Sequence, residues 1–242
     1  MKSEPPDLPL TIATLARGMT PLTPLARPSL RLARWAIASA ALTLGTVVVL
    51  GVRADVAAQM TAGWFVARAA VTLAIVAGAA PVAFFLSVPG SEPARVARAL
   101  PLAAWLAWGG ILAGRLAAIG APLDLLLQAR PHPSCVLLVV ATALLPGVIM
   151  MRMLRHAAPL QASWTAGFAG LASLALGALG AQFVCNNDAA AHHLLWHFTP
   201  VVLLTLASAA AGSSVLRLSQ TRKTNSTWSS TLPGHSGSGR RI

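Results

Sequence analysis

Six stretches of this chain are each apolar over about the length that a helix needs to cross a hydrocarbon layer. They run approximately over Trp35–Val52, Trp64–Val88, Ala99–Ile119, Cys135–Met153, Trp164–Val184 and Trp196–Leu216. A bilayer core takes about twenty helical residues, and backbone polar groups inside it must find their partners within the segment. The composition agrees, with 56% of the 242 residues hydrophobic and 10% charged. The expected fold class is therefore all-α: a polytopic membrane bundle of six transmembrane helices. Short connections between the runs predict antiparallel neighbours. Gly167-Phe-Ala-Gly170 and Gly177-Ala-Leu-Gly180 read as packing surfaces rather than ligand loops, because small residues let membrane helices approach closely.

The formal charge of +12 would raise nucleic acid as a partner in a soluble chain. Here the basic residues sit between apolar runs, where they set orientation, and no basic stripe interleaved with aromatics suggests direct nucleic-acid contact. Lys2, Arg17, Arg27, Arg31, Arg34, Arg95, Arg98, Arg152, Arg155, Arg217, Arg222, Lys223, Arg240 and Arg241 fall on one side. Arg53 and Arg130 fall on the other, beside Asp55, Asp124 and Asp188. Both termini are expected in the cytoplasm. No signal peptide is evident, since the first apolar run begins only near Trp35.

Three regions follow from this: a lead over residues 1–34, a transmembrane domain over 35–218, and a Ser/Thr/Gly-rich tail over 219–242 that reads as disordered. The lead spaces Leu8, Leu10, Ile12, Leu15, Met19, Leu22 and Leu25 between prolines 5, 6, 9, 21, 24 and 28, which rule out one long helix. It reads either as a juxtamembrane linker touching anionic lipid or as a segment that folds on a partner.

One polar stretch interrupts the apolar runs. Cys185-Asn-Asn-Asp188-Ala-Ala-Ala-His192-His193-Leu-Leu-Trp196-His197 holds three of the six histidines and one of the two cysteines. Read as a helix, it puts Cys185, Asp188, His192 and Trp196 on one face, with His193 and His197 on the neighbouring face. The predicted topology brings Cys135 to the same outer membrane level from the fourth run. Cys135, Cys185, Asp188, His192 and His197 are thus candidate ligands for zinc, cadmium or a similar ion. Interfacial hydrogen bonding by the histidines, with Trp196 as a headgroup anchor, is the other reading. Two cysteines are too few for a disulfide framework.

Arg68 and Arg115 lie within spans near the outer face, with Asp55, Asp124 and Asp188 as available counterions; ion pairing at the rim accounts for them. The spans show no charge near mid-membrane and no paired broken helices of the transporter kind. No nucleophile elbow or carboxylate pair suggests an enzyme, and no obligatory cofactor is expected. A transporter or permease of small molecules or metals remains the alternative reading.

The sequence resembles the NrsF family of bacterial inner-membrane anti-sigma factors. The resemblance runs from about Leu8 to Leu218. It rests on Leu15-Ala-Arg-Gly-Met-Thr-Pro-Leu-Thr-Pro-Leu, Val88-Pro-Gly90, Pro133-Ser-Cys135, and Cys185 to Asp188 with His192, Leu194 and Trp196-His197. It implies a multi-pass inner-membrane protein that holds an extracytoplasmic-function sigma factor through its cytoplasmic lead. Release is implied when the outer thiols Cys135 and Cys185 respond to heavy metal or oxidative stress. On that reading Leu8, Leu10, Ile12, Leu15, Arg17, Met19, Leu22 and Leu25 bind the sigma factor. The resemblance carries sensing to the two cysteines only; a ligand role for His192 and His197 comes from their donor chemistry.

Overall fold

The computed structural model describes residues 25–120, 133–157 and 159–228, with side chains as far as Leu216. Six helices in it are long and apolar enough to cross a membrane. In chain order the elements are α1 (Pro28–Leu50), the short α2 (Val56–Gln59), α3 (Gly63–Leu86), α4 (Arg95–Ala118), α5 (Pro133–Arg155) and α6 (Ala162–Gln182). A compound last crossing follows: α7 (Ala190–His193), a π-helical turn (Leu194–Phe198) and α8 (Thr199–Trp228). Each predicted apolar run thus lies largely within a helix. The first helix starts seven residues before Trp35 because Pro28 occupies its first turn, where a fixed φ and a missing N–H cost nothing. It ends at Gly51, whose φ of 92° lies in the region that favours glycine.

Helix α6 is the axis of the bundle. Of its most apolar window 78% is buried, against 17% in α1 and in α4. It packs on α3, α5 and α8, and its Ala/Gly composition makes this approach feasible. A Cβ on Gly177 would run into the Val139 carbonyl oxygen of α5, and one on Gly170 would come within 2.7 Å of Ser208 of α8. The glycine pairs are therefore helix contacts, as their spacing suggests. Around this axis Ile37, Leu44, Val48, Leu106, Leu137 and Leu203 are exposed, which suits a surface solvated by lipid rather than water.

The antiparallel order gives the bundle two chemically distinct ends. At one end Arg31, only 5% exposed, donates from Nη1 to Ser87 Oγ at 3.1 Å and from Nη2 to the Met153 carbonyl. That carbonyl belongs to the last turn of α5, which lacks intrahelical donors and carries the negative end of the helix dipole. One turn on, Trp35 Nε1 donates to the Pro146 carbonyl at 3.0 Å. The opposite end gathers Arg53, Arg68, Asp55, Asp188 and the two cysteines.

Candidate functional site

At this second end the polar stretch is not one helix. Residues Cys185 to Ala189 are non-helical, and α7 begins only at Ala190. The next five residues form a π turn, with the Thr199 N–H reaching the Leu194 carbonyl. Thr199 Oγ1 also donates to that carbonyl, at 2.8 Å. Pro200 has no N–H to give to Trp196, so the regular α-helical ladder is interrupted at this point. The consequence is geometric. In an α-helix, residues five apart point about 140° away from each other; a turn closed by i→i+5 bonds brings such a pair together. The rings of His192 and His197 lie with centroids 5.4 Å apart, and those of His193 and His197 are 4.5 Å apart.

Four donors converge here, from α5, from the loop after α6 and from the last crossing. The sulfurs of Cys135 and Cys185 are 3.9 Å apart, and Cys185 Sγ lies 3.4 Å from His192 Nε2. One ligand atom each from Cys135, Cys185, His192 and His197 falls within 4.8 Å of every other. Both thiols are free, Cys185 buried and Cys135 half-buried. His197 is fully buried, and neither of its ring nitrogens has a hydrogen-bond partner among the described residues. A buried imidazole in that state loses hydration without compensation.

Asp188, the fifth candidate donor, is placed elsewhere. Its carboxylate takes two bonds from Arg53, from Nη1 at 3.1 Å and Nη2 at 2.6 Å, and one from Arg68 Nη2 at 2.8 Å. Arg53 also holds Asp55, through Nε at 2.6 Å and Nη2 at 3.0 Å. Trp64 Nε1 donates to the Asp188 carbonyl at 3.3 Å, and the Arg53 N–H to the Phe183 carbonyl at 2.9 Å. The loop carrying Cys185 is thus tied to the α1–α2 connection and to α3. The Arg53 hydrogen bonds, with help from Arg68, hold the Asp188 carboxyl below the usual carboxylate range. Asp55 is held low by Arg53 and then by Gln59, and Arg53 is pushed up by both carboxylates.

The rim arginines predicted from sequence divide. Arg68 pairs with Asp188, whereas Arg115 lies over the Trp64 ring at 4.3 Å, where cation–π attraction favours it. Asp124 lies outside the described residues, as do Leu8, Leu10, Ile12, Leu15, Arg17, Met19 and Leu22 of the lead; Leu25 is described and exposed. Two buried arginines escaped sequence reasoning as site residues. Arg53 and Arg31 read as topological charges, yet 4% and 5% exposure puts both inside the fold. The signal for Arg53 was Asp55 two residues on; for Arg31 there was none.

Comparison with known proteins yields one match. A family described as NrsF, negative regulator of sigma F, matches residues 15–218. No curated protein and no solved structure matches the chain.

Proposed function

The chain belongs to the NrsF family of negative regulators of sigma F, and on that premise we propose that it is an inner-membrane anti-sigma factor for a sigma factor of the extracytoplasmic-function class. Both termini lie in the cytoplasm on this reading. Arg27, Arg31, Arg34, Arg95, Arg98, Arg152 and Arg155 crowd the Arg31 end of the bundle, as the positive-inside tendency favours. The lead, with Leu8 to Leu25 and Arg17, holds the sigma factor. The cysteine end faces the periplasm and receives the signal, heavy metal or oxidant.

The observation that carries the reading is the 3.9 Å approach of Cys135 and Cys185, fifty residues apart, one in the first turn of α5 and the other in the loop after α6. Two thiols so placed can report on their surroundings by one chemical step. With a peroxide as oxidant, one thiolate attacks an oxygen and water leaves. The second thiolate then displaces hydroxide from the sulfenic acid, so two thiols and one peroxide become a disulfide and two waters. The periplasm is a compartment where such a bond persists. Metal capture by the same thiolates is the other input, and it acts only through a difference in affinity between two bundle states. A coupling of about 1–3 kcal/mol changes sigma affinity roughly 5–150-fold.

The test uses the full chain in its membrane, co-expressed with an extracytoplasmic-function sigma factor of the same cell and a sigma-dependent reporter. The chain should repress the reporter, and cadmium or peroxide should relieve repression. The double variant Cys135→Ser, Cys185→Ser should repress but no longer respond. No repression by the unaltered chain, or an undiminished response in the double variant, overturns the proposal.

A further inference from the structure

We propose that Cys135, Cys185, His192 and His197 form one closed tetrahedral site for a divalent zinc-like cation. This deepens the sensing reading of the same thiols by naming the complete donor set. The spacing is the first argument. With metal–sulfur bonds of about 2.3 Å and metal–nitrogen bonds of about 2.0–2.1 Å, tetrahedral edges come to about 3.8 Å between sulfurs and about 3.5 Å between sulfur and nitrogen. The corresponding separations here are 3.9 Å for Cys135–Cys185 and 3.4 Å for Cys185–His192. The sulfurs are thus separated as two ligands of one ion rather than as a bonded pair.

The second argument is the buried His197 ring. Both nitrogens lack partners among the described residues, and one of them lies within 4.8 Å of the other three ligand atoms. A bound cation supplies the partner that this nitrogen lacks. Charge is the third. Two thiolates and two neutral imidazoles around a divalent ion make a complex of zero net charge, which suits burial. Binding releases the two thiol protons to solvent. Asp188 would add an uncompensated negative charge, and its carboxylate is already engaged by Arg53 and Arg68. His193 stands beside the cluster, 4.5 Å from the His197 ring, but is not part of the four-ligand set formed among the described residues.

The experiment is titration of the purified full-length chain in detergent, with thiols reduced and no sigma factor present, using cobalt(II) as a spectroscopic probe and zinc in competition. One cobalt per chain is expected, with the intense visible bands of tetrahedral coordination and thiolate-to-metal charge transfer. His197→Gln and Cys135→Ser should each weaken binding by more than about 100-fold, beyond what loss of an outer-shell partner costs. His193→Gln, with a similar melting temperature, should bind as the unaltered chain does. Binding with octahedral spectra, or unimpaired in folded His197→Gln, overturns the site; so does an equal loss in His193→Gln. Because no sigma factor is present, this result is independent of whether the chain represses one.

Discussion

Replacing Asp188 by Asn should loosen the loop that carries Cys185 without touching any proposed ligand. The carboxylate accepts three hydrogen bonds from two arginines whose side chains are 2% and 1% exposed, while its own side chain is 30% exposed. Asn keeps the shape but loses the charge, and its NH₂ group turns a donor toward guanidinium donors. Removing one partner of a buried pair costs 3–5 kcal/mol; the exposed side of Asp188 puts the expected loss at the low end, about 3 kcal/mol. For a chain of this size that is a fall in melting temperature of roughly 6–12 °C. Melting of the full chain in detergent, followed by tryptophan fluorescence, reads it. The pH dependence carries a second check. A carboxyl held below its unfolded value of about 3.9 contributes fully above that value and loses its contribution as pH falls through the folded pKa. The gap between the two proteins should therefore be constant over about pH 5–8 and narrow only in stronger acid. Melting curves that coincide near neutral pH would refute the clamp. A gap that closes already near pH 6 would assign it to another group.

Pro200→Ala supplies the i→i+4 N–H that proline cannot offer to Trp196, and should let the π turn relax toward α-helix. His192 and His197 then separate, so cobalt affinity should fall at least about tenfold, the scale set by misoriented ligands, although no donor is altered. Equilibrium titration checks this, and unchanged affinity would mean that the π turn does not depend on the proline. Arg31→Ala removes the donor to Ser87 and to the Met153 carbonyl. It should destabilise the bundle by about 1.5–3 kcal/mol, as for a lost hydrogen bond to a charged group. The reporter response to peroxide should weaken while metal affinity is retained, and thermal melting together with the cobalt titration separates the two effects.

The number and order of the long helices were legible because length and composition mark them: each apolar run is long enough for a spanning helix. Topology placed Cys135 and Cys185 at one level, since both residues sit at run ends on the same side, but their meeting also needed α5 and α6 to be neighbours, which the structure supplies. What the sequence hid was the backbone between Cys185 and Phe198. Helical periodicity separates His192 from His197, and only Pro200 signals that the ladder breaks there. Asp188 looked equally fit to bind a metal or an arginine, because a carboxylate serves both. The choice depends on Arg53, which arrives from a distant connection and whose burial no local pattern reveals. Arg31 was hidden for a similar reason, since a buried and an exposed basic residue at a helix start read alike.

One helix connects the two ends chemically. Helix α5 carries Cys135 in its first turn and Met153 in its last, eighteen residues or about 27 Å apart at 1.5 Å per residue. Between them it is pressed against α6 where Gly177 leaves room for the Val139 carbonyl and for nothing larger. That contact lies four residues from Cys135 and fourteen from Met153, so it divides α5 into arms of about 6 Å and about 21 Å. A tilt of α5 about it moves Met153 some three to four times as far as Cys135. Pro146, within the long arm, lacks the N–H that would tie it to Thr142, but its own carbonyl is held by Trp35 of α1. Any bend there is therefore passed to α1, whose first turns form the end of the lead. On the proposed sensing reading, a tilt of α5 started at the thiols would reach Arg31, and the residues before it, enlarged in that ratio.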